Sequence, residues 1–342
     1  MANDIYENIE DEEDFKDHVL QKIDNRILSD FEKLASPGLN NEVTILVPTN
    51  GCIDWLPIFL EEFNSMNLSP VYLCECQTND GTIEYLRENN IEYHIKPEHL
   101  PHGILEQSIR YAAECVNTDW LFRLDDDEFP TPALVNWINK ITYDKSVHVW
   151  HIKRLELAIM NGELNSILPK WGEQNFEDVN YYSQYQRLYQ PKEVIYTKPK
   201  IHSNGFVAKN HGLAPADATF VHLDCIVRSP IERFKKLQSY DNVRKNAGWT
   251  FSNHYVPEFE SDIFQNRIKY SQVNIDRMVG KLLEQRPHTQ ENITLSIEDI
   301  RKIQSDLNVR LYGDYLAGLN RTTLNYAIPW RCPMSSPIFQ CH

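Results

Sequence analysis

The chain is most informative at first in what it lacks. Among its 342 residues no stretch approaches the ~18 consecutive apolar residues that a membrane-spanning helix needs. The opening segment, "MANDIYENIEDEEDF", is acidic and holds no apolar core of the kind a secretion signal uses. Positive charge is also scarce: 34 Lys and Arg stand against 49 Asp and Glu, for a formal net charge of −15. General binding to polyanions such as nucleic acid is therefore not expected. Residues 1–42 hold 12 of the acids and 4 of the bases, so the acidity is concentrated near the N-terminus. The rest of the chain is close to balance and can still form a local positive pocket.

Cysteines are few, odd in number and scattered, at 52, 74, 76, 115, 225, 332 and 341. That pattern fits a reduced, cytoplasmic chain best. Cys74 and Cys76 have no second knuckle to complete a zinc site and read as small buried hydrophobes. Sequons at Asn67, Asn292 and Asn320 carry no weight without a secretion signal. There are no internal repeats.

What is present reads as alternating strands and helices. Residues 5–36 are expected to form one or two acidic amphipathic helices, closed by "SPGLNN". Strands are predicted at "EVTILVPTN" (42–50), "PVYLCECQ" (70–77), "IEYHIKP" (91–97) and "WLFRL" (120–124). Helices fall between them at 55–66, 80–90 and 103–116. This order predicts an α/β fold with a mostly parallel central sheet and helices on both faces. Ligands in such sheets bind beyond the carboxyl ends of the strands.

After residue 145 long extended segments dominate, including "YSQYQRLYQPKEVIY" and "ATFVHLDCI", and complete the sheet. "SPIERFKKLQSYDNVRKN" (229–246) is a helix with Ser229 as N-cap, Pro230 at the first position and Glu232 closing a capping box. Residues 258–320 are expected to be mostly helical, with Ser296 and Asp299 a second capping box. The predicted organisation is an acidic helical extension (1–41), a central domain (42–250) that divides at residue 145, and a mostly helical C-terminal region (251–342).

The chemistry concentrates where the fourth strand runs into Asp125-Asp126-Asp127-Glu128. Four adjacent carboxylates repel one another unless a cation or water compensates them. In an extended segment Asp125 and Asp127 point to one face and Asp126 to the other. An Asp-any-Asp pair offers hard oxygen ligands to a divalent ion such as Mg²⁺ or Mn²⁺. Such ions grip phosphate oxygens and neutralise charge on a diphosphate leaving group. The competing reading is a solvated acidic loop.

These motifs in this order resemble the nucleotide-sugar glycosyltransferases of the GT-A fold, family-two-like, over about residues 43–245. The resemblance is carried by Pro48-Thr49 at the end of the first strand, "ECQTNDGT" after the second and "LDDDEFPTPAL" after the fourth. "YQRLYQPKEVIYTKPKIH" and "FVHLDCIVRSPIERFKK" add to it. It implies a Rossmann-like sandwich that binds a UDP- or GDP-type nucleotide-sugar and moves its sugar to a carbohydrate or glycoconjugate acceptor hydroxyl, with inversion. It implies Asp125, Asp127 and His222 as metal ligands, with Mn²⁺ or Mg²⁺ as the cofactor.

Pro48, Thr49, Glu75, Asp80, Asp125, Asp126, Arg228 and Lys236 match positions that meet the nucleotide-sugar. Glu75 stands where the family has an acid against the base, but Asp-Asp has become Glu75-Cys76 here. Lys236 lies seven residues from Ser229, two turns along the helix, while Lys235 points about 100° away. The resemblance implies a catalytic base from the segment after the fifth strand, here "WGEQNFEDVNYY"; the spacing from Asp178 to Arg187 departs from the family's, and Asp178 is the first candidate and Glu173 the second. Trp171, Tyr181 and Tyr182 could wall an acceptor site there.

Two other readings stay open. A nucleotidyltransferase should have a glycine-rich basic loop after its first strand, but "VPTNGCIDWLP" holds one Gly and no Lys or Arg. A non-catalytic sugar- or protein-binding module is the third reading. The N-terminal helix is a candidate for self-association.

Overall fold

The structure, a computed structural model, describes residues 38–98, 109–142, 144–160, 162–169, 184–197, 205–243, 255–257 and 265–286. The predicted N-terminal helices, the capping box at Ser296 and Asp299, and the segment carrying Trp171, Glu173, Asp178, Tyr181 and Tyr182 lie outside the described residues.

The first half alternates as the sequence predicts. β1 (Val43–Thr49) leads to α1 (Leu56–Ser65), β2 (Val71–Cys74), α2 (Thr82–Glu88), β3 (Tyr93–Ile95), α3 (Ile109–Glu114) and β4 (Trp120–Arg123). β1 pairs in parallel with both β2 and β4, and β2 in parallel with β3. Continuous apolar runs suit strands covered on both faces. Leu46, Cys74, Trp120, Leu121 and Phe122 are fully buried accordingly.

A short β5 (Glu128–Pro130) follows, then α4 (Pro132–Ile141), started by Thr131, whose hydroxyl accepts the Leu134 N–H at 3.3 Å. The second half supplies β6 (Val149–Met160), β7 (Glu163–Pro169), β8 (Gln184–Tyr189), β9 (Ile195–Tyr196), β10 (Phe206–Val207), β11 (His211–Leu213) and β12 (Thr219–His222). α5 (Asp224–Val227), α6 (Pro230–Val243), β13 (Gln265–Lys269) and α7 (Val273–Gln285) complete the described chain. One large sheet runs in the order β13-β7-β6-β8-β4-β1-β2-β3, giving the mixed α/β architecture that the element order predicts.

Three local differences matter. The segment "ATFVHLDCI" is not extended throughout: β12 stops at His222 and the chain turns into α5. Residues 265–269, read as helical, form β13 on the edge of β7. β4 ends at Arg123, and the next residues make a turn in which the Glu128 N–H donates to the Asp125 carbonyl at 3.0 Å. The capping box is present, with the Ser229 N–H donating to Glu232 Oε2 at 2.6 Å. Among the described residues no helix is long and apolar enough to cross a membrane.

Topology decides what meets the turn after β4. β12 runs parallel to β6, with His222 opposite Glu156, and antiparallel to β5, with His222 opposite Glu128. The Leu223 N–H donates to the Asp127 carbonyl at 2.8 Å. Side chains from four separate segments therefore converge at one strand end.

Candidate metal and anion site

The acidic run does not present alternating faces, because the chain turns where the sequence reading kept it extended. Each carboxylate has its own environment. Asp125 swings to Arg187, whose Nη2 lies 2.8 Å from Oδ2, and to Arg123 at 3.6 Å. Burial opposes its charge, but Arg187 and Arg123 hold its carboxyl well below the usual carboxylate range. Glu128 is wholly buried and structural in character. It accepts from Arg187 at 2.6 Å, from Arg154 at 3.1 Å and from the Asp125 N–H at 2.9 Å. Arg154 also binds Glu156 at 2.6 Å and lies 4.1 Å over the Tyr185 ring. This layer is a network of ion pairs, largely buried, that reaches the groups in front of it through Glu156 and His222.

The front layer holds Asp126, Asp127, His222 and Asp224. Asp126 Oδ2 accepts the Thr49 hydroxyl at 2.6 Å, and its carbonyl accepts the Trp55 indole N–H at 2.8 Å. Burial, opposed by Arg228 and reinforced by Asp127, pushes the Asp126 carboxyl up to about 6. Asp127 is 3% exposed and meets His222 Nε2 at 3.3 Å, Lys236 at 3.7 Å and the guanidinium of Arg228. Burial disfavours its charge, yet His222, Lys236 and Arg228 keep it well below the ordinary range. Asp224 Oδ1 accepts from Lys236 at 2.9 Å and from Arg228. Its Oδ2 is buried and has no hydrogen-bond partner among the described residues.

Asp127, His222 and Asp224 offer ligand atoms that all lie within 4.8 Å of one another. Two carboxylates and an imidazole suit Mn²⁺ or Mg²⁺ in donor type, imidazole favouring the former. Two observations fit these residues to a cation. One is the orphaned Asp224 Oδ2, a buried acceptor without a donor. The other is the contact between His222 Nδ1 and Glu156, which leaves Nε2 facing Asp127. Metal-ligating histidines are commonly fixed by a carboxylate on the far nitrogen. Burial works against charge on His222, but Glu156 and Asp127 outweigh it and push its pKa up to about 10. Asp125, expected beside Asp127, is instead turned to Arg187, and Asp224 completes the set. The signal for Asp224 was its place two residues after His222 in "HLDC", hidden by reading that segment as strand.

Beside the cluster lies a cavity of about 520 Å³. Its wall runs from Gly51 to Trp55 and includes Asp80, Glu232 and Ser239, with four cations: Arg228, Lys235, Lys236 and Arg286. Arg228 faces both ways. It touches Asp127, Asp224 and Asp126 and stacks 4.8 Å over Trp55. Lys235 and Lys236 both reach the cavity wall, and Lys236 alone of the two pairs with the carboxylates.

Pro48 and Thr49 sit at the end of β1, and the Thr49 carbonyl accepts the Glu75 N–H at 3.0 Å. Glu75 is buried and paired with Lys96, a partner the sequence reading did not identify. Asp80 is committed to the backbone. It accepts the Ile53 N–H at 3.1 Å, the Thr82 N–H at 3.0 Å and the Thr82 hydroxyl at 3.0 Å. It therefore shapes the cavity rim. Glu173 and Asp178 lie outside the described residues.

No protein-family model matches the chain. No curated protein matches it either. Among solved structures, residues 1–349 of TarS from S. aureus align over 81% of this chain and 92% of that one, at 9% identity and a TM-score of 0.37. The same fragment in complex with UDP-GlcNAc aligns over 78% and 80%, at 10% identity and 0.36. Glucosyl-3-phosphoglycerate synthase from Mycobacterium tuberculosis, in complex with Mn²⁺, UDP-glucose and phosphoglyceric acid, aligns over 37% and 48%, at 11% identity and 0.28. Similarity this low assigns no activity, and the function rests on the site.

Proposed function

We propose that the chain is a metal-dependent glycosyltransferase that moves a sugar from a nucleotide-diphosphate sugar to an acceptor hydroxyl. The observation that carries this reading is the juxtaposition of Asp127, His222 and Asp224 with a cavity lined by Arg228, Lys235, Lys236 and Arg286. Hard cation ligands beside cationic side chains suit one kind of guest, a diphosphate that a divalent ion grips on one side.

Asp127, His222 and Asp224 would hold Mn²⁺ or Mg²⁺, which when bound neutralises charge growing on the diphosphate leaving group. Asp125 then serves from behind, fixed on Arg187. Arg228 and Lys236, which line the cavity, would then be available to phosphate oxygens. Pro48, Thr49 and Asp126 border the ribose side, with Glu75 toward the base and Asp80 holding the loop between them. Asp178, or Glu173, accepts the proton of the attacking hydroxyl in an inverting transfer.

The test is a screen of nucleotide-sugars for hydrolysis or transfer with Mn²⁺. Turnover of at least one donor is expected, and Asp127→Asn should reduce it by about 100-fold or more. Normal turnover by that variant contradicts the metal assignment. A parallel thermal-shift series with nucleoside diphosphates separates an enzyme from a binding module. Stabilisation should need nucleotide and Mn²⁺ together.

A further inference from the structure

We propose that Arg286 is a phosphate ligand of the donor cavity, delivered by α7 from outside the segment that the sequence resemblance covers. The proposal rests on the donor-site reading above and extends it to a residue which that resemblance does not reach.

The placement follows from how α7 docks. Ile275, Met278, Val279 and Leu282 recur at helical spacing and are buried. Polar contacts fix the direction. Asn274 Nδ2 lies 3.7 Å from Met66 Sδ, Arg277 pairs with Glu62, Lys281 with Glu61 at 2.6 Å, and Arg286 with Asp54 at 2.8 Å. α7 therefore runs antiparallel to α1, and its last turn arrives where α1 begins. The residues just before α1, Gly51 to Trp55, are the cavity wall.

Arg286 is 6% exposed, and its guanidinium lies 5.7 Å from the centre of the Trp55 ring, which Arg228 also approaches. With Lys235 and Lys236 these make four cations around one small space. Arg228 and Lys236 are matched by Asp126, Asp127 and Asp224 on the metal-ligand side. Three carboxylates face the space. Asp80 is spent on the backbone. Asp54 and Glu232 pair with Arg286 at 2.8 and 3.3 Å, but their side chains are 61% and 42% exposed. Water reaches both carboxylates and screens these pairs, although Arg286 itself is buried. A guanidinium binds two phosphate oxygens in parallel and more strongly. An incoming diphosphate would compete with Asp54 for the Arg286 guanidinium.

The test is calorimetric titration of the full chain with inorganic pyrophosphate and with nucleoside diphosphates, with and without MnCl₂, in wild type, Arg286→Gln and Asp54→Asn. The expected result is about tenfold or more weaker binding in Arg286→Gln. In Asp54→Asn binding should tighten, because a competing carboxylate is removed from the same guanidinium. A residue that only anchors α7 gives a different pattern: both variants lower the unfolding temperature and neither changes pyrophosphate affinity. That pattern overturns the proposal, as does weaker binding in Asp54→Asn. If wild type binds these ligands and Arg286→Gln binds equally well, only the role of Arg286 fails. If wild type binds none of them, the donor-site reading fails with it.

Discussion

Arg228 and Asp127 are in direct contact, and the same guanidinium nitrogen of Arg228 also reaches Asp224. Two of the three candidate metal ligands are thus held by a cation that borders the cavity. Charge-assisted contacts of this kind contribute about 1.5–3 kcal/mol each. A divalent ion on these carboxylates would have to displace Arg228, which borders the cavity and would then be available to phosphate. Metal and nucleotide should therefore bind with positive coupling.

Arg228→Gln separates the two effects. Without nucleotide, Mn²⁺ should bind more tightly than to wild type, by about tenfold, as read by electron paramagnetic resonance of the free ion. Nucleoside diphosphate binding should weaken. The variant should also be less stable without metal, because Asp126, Asp127 and Asp224 lose a shared partner, and should gain more stability from Mn²⁺ than wild type does. Unchanged Mn²⁺ affinity would show that Arg228 does not compete for the site.

Glu156 tests the orientation of His222. Its carboxylate meets His222 Nδ1 from the neighbouring strand β6 and also binds Arg154. Glu156→Gln should weaken Mn²⁺ binding by about 10- to 100-fold while the ligands themselves remain. Isothermal titration with MnCl₂ measures this directly. Equal affinity would mean that the ring is positioned by packing alone.

Much of the frame was legible in the sequence, and the reasons are local. The strands at 43–49, 71–74 and 120–123 are buried apolar runs bounded by turns, and the helix at 230–243 carries its own cap. The site was legible only in part. Alternation placed Asp125 beside Asp127, but the strand ends two residues earlier and a turn separates them. Asp224 went unassigned because β-like residues continue past His222 while the backbone turns into a single helical turn. Partners such as Lys96 for Glu75, just past β3, and Arg187 for Asp125, on β8, come from elsewhere in the sheet. Which buried cation meets which carboxylate depends on sheet order, and no local pattern encodes it.

Gly51 tests the cavity rim. Its φ is +116°, which side-chain-bearing residues rarely adopt, and an added Cβ would lie 2.8 Å from the Asp80 carboxyl. Gly51→Ala should cost about 1–3 kcal/mol in backbone strain. It should also push Asp80 off the Ile53 and Thr82 N–H groups, loosening the loop before α1. The expected outcome is a lower unfolding temperature together with weaker pyrophosphate binding. A stable variant with wild-type binding would contradict the role given to Asp80.

His151 and His211 give a pH test remote from the metal ligands. His211 Nε2 lies 3.1 Å from the Ala208 carbonyl and donates to it, which leaves Nδ1 to accept from His151 Nε2 at 2.9 Å. Burial, helped by His211, pushes the His151 pKa from the ordinary 6.5 down to about 3. Between those values the unfolded chain holds a proton that the folded chain does not. Stability from this group is therefore full above about pH 6.5 and falls by about 1.4 kcal/mol per pH unit below it, until about pH 3. Denaturant unfolding at pH 7 and pH 5 should show His151→Gln losing about 2 kcal/mol less than wild type. Equal losses would mean that His151 is protonated in the folded state.

The most direct measurement is anomalous diffraction at the manganese edge from crystals grown with Mn²⁺ and a nucleoside diphosphate. The expected result is one manganese peak bonded to Asp127, His222 and Asp224, with Arg228 and Lys236 turned onto the phosphates. Bound nucleotide with no manganese at those three side chains, and Arg228 still seated on Asp127, would contradict it.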